Sequence, residues 1–256
     1  MKLLYKKEIP KRLCYDLTIR KNSNYFANGI CIHNSNSGIV YKIKDDSFYY
    51  QSRGRILSLT SDNAGFCLFA MSKEAVFRDI FGKLGKLADD VTTVCIYGEW
   101  AGQGIQKNVA VSKLPKMMIV FGIKLIKQDD TYEWVDFSHI DINYTEDNIY
   151  SVFLFPVHEV DIDFNYPALS QNDIIEATLA VEKECPVGKY FGVSDIGEGR
   201  VYSCISEGYE SSDFMFKSKG NLHINNSQIF LSEDDKIEII SFMSNNNIFE
   251  ATYQFF

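Results

Sequence analysis

The run Val91-Thr92-Thr93-Val94-Cys95-Ile96-Tyr97-Gly98-Glu99-Trp100 leaves this chain little choice of conformation. It is dominated by β-branched and aromatic side chains, which crowd a helix but fit a pleated strand. The strand passes directly into Ala101-Gly102-Gln103-Gly104-Ile105-Gln106, where glycines permit a turn that other residues resist. A long strand that ends on a carboxylate, Glu99, and then on a glycine-rich turn is the frame for the rest of the chain.

Strand pairs surround that frame. Ser37–Ile43 reads as a strand, Lys44-Asp45-Asp46-Ser47 turns it, and Phe48–Arg53 returns as the second arm of a hairpin. Met117–Ile126 and Thr131–Phe137 form another pair, turned at Gln128-Asp129-Asp130, and Arg200–Ile205 and Asp213–Lys219 are short strands. Three segments read as helices. Ser72–Ala88, capped by Ser72, carries Ala75, Val76, Ile80, Leu84 and Leu87 near helical spacing, with Gly82 and Gly85 weakening its second half. Ser170–Glu184 presents Ile174, Ile175, Thr178, Leu179 and Val181 on an apolar side, and Ser232–Ser244 forms a last helix. Helices interrupt the strands without regular alternation, so the expected class is α+β, with antiparallel sheets and flanking helices.

Composition narrows the function classes. Hydrophobic residues make up 46% and charged residues 23%, which excludes a disordered chain. A net charge of −8 argues against broad non-specific nucleic-acid affinity and leaves room only for a local basic groove. Cys14, Cys31, Cys67, Cys95, Cys185 and Cys204 show no CxxC spacing, which argues against a zinc knuckle or a thioredoxin-like site and for reduced thiols. His139, His158 and His223 have no partner at metal-ligand spacing. The N-terminal residues lack the apolar run of a signal peptide, and no segment is apolar for long enough to span a bilayer. A cytoplasmic protein with no membrane partner is expected.

Residues 1–34 have a different character. Leu13–Ile19 alternates partially, Asn28-Gly29 is a tight-turn signal, and Ile30-Cys31-Ile32 is a short apolar strand. A piece this short, with two tight turns, cannot bury enough apolar surface to stand alone. It ends at His33-Asn34-Ser35. The Asn34 side-chain amide can attack its own backbone carbonyl, forming a succinimide and releasing Ser35. The Ser35 hydroxyl can accept an acyl group, and His33 can move the proton. The ordered features Tyr15-Asp16-Leu17-Thr18, Asn24-Tyr25-Phe26-Ala27-Asn28-Gly29 and His33-Asn34 before Ser35 resemble the C-terminal segment of inteins. Many inteins place a histidine where this chain has Ser23.

From Ser35 onward the motifs resemble those of phage-type ATP-dependent RNA ligases, which are covalent nucleotidyltransferases. A strand-end carboxylate before a glycine turn can hold a ribose hydroxyl while the backbone comes close to a nucleotide. Gly98-Glu99-Trp100-Ala101-Gly102-Gln103-Gly104-Ile105-Gln106-Lys107 closely resembles the family's third motif. Gln51-Ser52-Arg53-Gly54 is similar to the element whose arginine touches the nucleic-acid end. Met118-Ile119-Val120-Phe121-Gly122-Ile123 is similar to the strand whose aromatic ring, here Phe121, stacks on adenine. Gly197-Glu198-Gly199-Arg200-Val201-Tyr202 resembles the fourth motif, whose glutamate helps hold the metal. Phe216-Lys217-Ser218-Lys219-Gly220 resembles the fifth, where two lysines at i and i+2 of a strand share a face and both reach the α-phosphate. The resemblance implies ATP as the AMP donor, Mg²⁺ as the metal, and RNA ends, a nicked duplex among them, as substrate.

The family's first motif is incomplete. It is Lys-x-(Asp or His)-Gly followed by a small residue and often Asn. Ser35-Asn36 supply the last two positions, so Cys31-Ile32-His33-Asn34 stand in the first four, and the nucleophilic lysine and the glycine are both missing. Two readings follow. In one, residues 1–34 are the C-terminal half of a split intein, residues 35–223 are the adenylation domain without its first motif, and residues 224–256 are the start of a C-terminal extension. The lysine then lies on a separate partner, an N-terminal ligase–intein fragment, and trans-splicing joins it to Ser35 in the host cytoplasm of a phage-encoded protein. In the other, the chain is a degenerate ligase-fold module that binds nucleotide or RNA. The intein-like order of residues 13–34 favours the first, and on that reading the unspliced chain lacks adenylation activity.

Overall fold

The computed structural model describes residues 36–162, 166–204 and 211–223, with the backbone of four short strands before them. These are β1 Lys7–Ile9, β2 Arg12–Cys14, β3 Phe26–Ala27 and β4 Ile30–Cys31. β1 pairs antiparallel with β2, and β3 with β4, Ala27 opposite Ile30. Asn28 and Gly29, the expected tight turn, lie outside the described residues. His33, Asn34 and Ser35 lie outside the described residues, as do most of the strand expected over 13–19 and the whole of 224–256, including the helix expected at 232–244.

The chain divides into two compact units. One, the sheet unit, comprises Asn34–Val157 and Pro186–Ser194. The other, the hairpin unit, comprises Met1–His33, His158–Cys185 and Asp195–Phe256.

The sheet unit contains β5 Asn36–Lys42, β6 Ser47–Ser52, β7 Arg55–Leu57, α1 Phe66–Ser72, α2 Glu74–Lys83, β8 Val91–Ala101, β9 Met117–Lys127, β10 Tyr132–Trp134 and β11 Ile149–Ser151. They form a seven-stranded sheet in the order β10-β9-β8-β5-β6-β7. β10 runs antiparallel along residues 124–126 of β9 and β11 parallel along 118–120. The expected hairpins β5–β6 and β9–β10 are therefore present, with β8 inserted between β5 and β9. Period-two alternation sends Ile39 from β5, Val94, Ile96 and Trp100 from β8, and Ile123 from β9 into one core. Phe66, Phe77 and Ile80 of the two helices meet them there. Trp100 is the largest of these side chains, with the Phe66 and Phe69 rings 5.6 and 4.6 Å from it and its indole N–H donating to Ala64 O at 3.3 Å.

The helix expected over 72–88 is present in shorter form as α2, Glu74–Lys83, and is preceded by a helix that was not expected, α1, Phe66–Ser72. Ser72 does not cap a start; it closes α1, its hydroxyl donating to Phe69 O at 2.7 Å. Lys73, at φ −118° and ψ 16°, leaves the helical path before α2 begins at Glu74. The start of α1 is held by the Asp62 carboxylate, which accepts the amides of Asn63 and Cys67 at 2.6 and 2.7 Å. The second half of the expected helix stops at Lys83, ahead of Gly85 at φ +79°.

The hairpin unit contains α3 Pro167–Lys183, β12 Gly199–Cys204 and β13 Ser211–Lys219. Proline in the first turn of α3 suits a position whose amide has no helical partner. Ile174, Ala177, Thr178 and Val181 form its buried stripe, while Ile175 and Leu179 are exposed, so the apolar side read from sequence is rotated by about one position. Thr178 is turned inward because its hydroxyl serves both Ile174 O and the Ser218 hydroxyl of β13, each at 2.6 Å. β12 and β13 pair antiparallel, and Arg200 Nε donates to Ala177 O at 3.1 Å, tying the hairpin to α3.

Candidate active site

In the sheet unit, alternation along β8 decides which side chains share a face. Val94, Ile96 and Trp100 fill the core, so Cys95, Tyr97 and Glu99 occupy the opposite face. Antiparallel register then brings distant residues to one end of the sheet. Asn36 pairs with Glu99, and Ser37 pairs with both Gly98 and Ser52. The first residue of β5, the Arg53-Gly54 turn and Glu99 therefore share an edge, with β5 between the other two strands. Arg53 is half-buried there, one guanidinium nitrogen fully so. The Ser37 hydroxyl donates to Gly98 O at 2.9 Å and fixes the β5–β8 junction at this point.

The loop after Glu99 folds around Gln106. Its side-chain carbonyl accepts the Gly102 amide at 2.9 Å, and its amide nitrogen lies 3.3 Å from both Glu99 Oε1 and Trp100 O. Two backbone bonds hold the turn besides: Ile105 N–H to Gly102 O at 3.1 Å and Gln103 N–H to Leu114 O at 2.9 Å. Sequence reading placed Gln106 inside the third motif without giving it a task. A lone amide after a glycine turn carries no such signal by itself.

Phe121 sits on a β-bulge. Tyr97 pairs with Gly122 and Gly98 with Val120, leaving Phe121 as an extra residue on β9. Val120 and Ile123 both face the core, so the two residues between them lie on the face of Tyr97 and Glu99. Phe121 is accordingly half-buried, while Val120 and Ile123 are inaccessible. On the same face, Lys124 Nζ lies 4.2 Å from the Tyr132 ring centroid and 4.5 Å from that of Trp134, and the Tyr97 and Trp134 rings are 5.7 Å apart. This lysine–aromatic cluster was not anticipated. Its signal was the pairing of two hairpin arms, which places Lys124 opposite Trp134. Cys95, on that face too, is a buried thiol pushed up by its burial.

In the hairpin unit, Ser218 turns toward α3, so Lys217 and Lys219 project from the other side of β13. Both ammonium groups reach the same oxygen, Glu198 Oε2, at 3.9 Å from Lys217 and 3.4 Å from Lys219. The Gly220 amide donates to Glu198 O at 3.1 Å, closing the turn beneath them. Gly199, opposite Lys219, has φ +153°, and a Cβ there would lie 1.9 Å from Ser218 O. No side chain fits where these two backbones meet. Glu182 of α3, a buried carboxylate that sequence reading passed over, accepts the Leu222 amide at 2.6 Å and anchors the chain leaving β13.

A family model for RNA ligase matches residues 32–219. The chain belongs to the RNA ligase family. Among solved structures, a mutant Naegleria gruberi RNA ligase with ATP and Mn is similar at 19% identity and a TM-score of 0.45, over 75% of this chain and 49% of that one. The Naegleria gruberi RNA ligase with PPi is similar at 18% identity and a TM-score of 0.45, over 75% of this chain and 48% of that one. This RNA ligase family member thus spans about half the length of the solved ligases it matches. No curated protein matches it.

Of the residues singled out from the ligase sequence, Arg53, Glu99 and Phe121 belong to the sheet unit, and Glu198, Lys217 and Lys219 to the hairpin unit. Among the described residues, no three His, Cys, Asp or Glu side chains gather as metal ligands, and no helix is long and apolar enough to cross a membrane. The carboxylate beside the two lysines of the hairpin unit is that of Glu198.

Proposed function

We propose that this chain is the C-terminal part of an ATP-dependent RNA ligase, completed by trans-splicing to a separate N-terminal fragment. The observation that carries the reading is where the family match begins. It starts at Ile32, just past Cys31, which stands where the first motif has its lysine. The nucleophile position thus falls one residue before the match, which leaves residues 1–31 outside it and takes in Ile32, His33 and Asn34, the last three residues of the intein-like segment 1–34. In splicing, Asn34 cyclises, Ser35 accepts the acyl group and His33 moves the proton. The domains proposed are an intein segment at 1–34, an adenylation domain at 35–223 and the start of an extension at 224–256.

In the completed enzyme the partner's lysine amine attacks the α-phosphorus of ATP. A nitrogen–phosphorus bond forms, and pyrophosphate leaves. A 5′-phosphate oxygen of RNA then takes the AMP and frees the lysine, and a 3′-hydroxyl oxygen finally displaces AMP to close the strand. Glu99 accepts a ribose hydroxyl, the bulged ring of Phe121 stacks on adenine, and Arg53 holds the RNA end. Lys217 and Lys219 offset charge on the α-phosphate, and Glu198 is the carboxylate available to Mg²⁺. The Lys217–Glu198–Lys219 group supports this assignment, since two cations already share one site of an anion's size.

The test uses radiolabelled ATP with Mg²⁺. The chain alone is expected to take up no covalent AMP. Mixed with an N-terminal fragment ending in the missing motif and an intein half, it should yield a product that lacks residues 1–34 by mass and becomes labelled. Label on the unmixed chain would contradict the missing nucleophile. Splicing that survived Asn34→Ala would contradict the role of Asn34.

A further inference from the structure

We infer that Gln106 is the positioning residue that orients the Glu99 carboxylate and thereby sets discrimination for the nucleotide's ribose. The inference rests on the proposed reading of Glu99 as the ribose-binding carboxylate. A glutamate at a strand end can rotate about three side-chain bonds, and holding it in one rotamer costs entropy that its neighbours must offset. Gln106 supplies one such restraint. Its amide nitrogen lies 3.3 Å from Glu99 Oε1 and 3.3 Å from Trp100 O, so one group spans the side chain and the main chain at the end of β8. The assignment of oxygen and nitrogen in this amide is fixed by the third contact. The Gly102 backbone N–H can only donate, so the atom 2.9 Å from it must be the carbonyl oxygen.

A primary amide is required here. Glutamate at position 106 could still accept from Gly102, but it could not donate to Glu99 and would place a second negative charge beside it. Leucine could do neither. The loop does not depend on Gln106 alone, because the Ile105-to-Gly102 and Gln103-to-Leu114 backbone bonds remain without it. Loss of Gln106 should therefore remove this restraint on the Glu99 carboxylate before it unfolds the turn.

The experiment measures binding of ATP, 2′-deoxyATP and 3′-deoxyATP to the full chain by calorimetry, with melting temperature followed in parallel. The wild-type chain is expected to prefer ATP over at least one deoxy analogue, and Glu99→Ala to erase that preference. Gln106→Leu and Gln106→Glu should each reduce the preference roughly tenfold or bring it close to one, the loss expected for a hydrogen bond to a charged group. The double variant Glu99→Ala/Gln106→Leu should match Glu99→Ala, since the amide acts only through the carboxylate. The inference is overturned if Glu99→Ala loses the preference and both Gln106 variants keep it. It is equally overturned if those variants weaken all three nucleotides by the same factor, as a merely structural residue would. A wild-type chain with no preference instead removes the ribose reading of Glu99, and the inference with it.

Discussion

Gly102→Ala is expected to destabilise the sheet unit by roughly 3 kcal/mol or more. Gly104→Ala, two residues along the same loop, should cost only about 1 kcal/mol. Both glycines have positive φ, +127° and +82° respectively. They differ in the space around them. A Cβ on Gly102 would stand 2.6 Å from Pro115 O and 2.7 Å from Lys116 Cα, both backbone atoms that cannot swing aside, whereas a Cβ on Gly104 meets nothing within 4 Å. Urea unfolding followed by tryptophan fluorescence measures the difference within one unit, because the chain's two tryptophans, Trp100 and Trp134, both belong to the sheet unit. Equal losses at the two positions would mean that the left-handed backbone alone governs the loop, and the approach to Pro115–Lys116 contributes nothing. The larger loss at Gly102 would also reach the site, since its amide is the one held by Gln106.

What the sequence disclosed follows from how local each feature is. The strand Val91–Ala101 and the hairpins on either side were legible because β-branched and aromatic residues bias the backbone residue by residue. The shared face of Lys217 and Lys219 was legible for the same reason, as strand periodicity is strictly two. Phe121 was legible as an aromatic ring but not as a bulge. A single extra residue in β9 shifts the parity between Val120 and Ile123, and only the pairing with β8 shows it. The break between α1 and α2 was hidden because Ser72 is as good a residue for starting a helix as for closing one through its own upstream carbonyl. Bringing Asn36, the Arg53 turn and Glu99 to one sheet edge depends on the β5–β6 and β5–β8 registers, which span long stretches of chain and leave no mark on any one of them.

The proposed double role of Glu198 gives an effect that should change sign with metal. Without metal, the Lys217 and Lys219 ammonium groups are occupied by its carboxylate oxygen. Lys217→Met/Lys219→Met removes both charge-assisted donors and is expected to weaken binding of pyrophosphate to the full chain by roughly a hundredfold or more. Glu198→Gln removes the competing anion and leaves both cations in place, so in metal-free buffer it should strengthen pyrophosphate binding by about tenfold. With Mg²⁺ present the same substitution takes away the one protein carboxylate proposed to reach the ion, and binding should fall below that of the wild-type chain. Calorimetry with and without EDTA reads both signs. If Glu198→Gln weakens pyrophosphate binding even without metal, the carboxylate serves to hold the lysines in position, and its proposed metal role loses its support. If it strengthens binding in both conditions, Glu198 is only their counter-ion. Reversal between the two conditions is the outcome that a metal-bearing carboxylate in the lysines' midst requires.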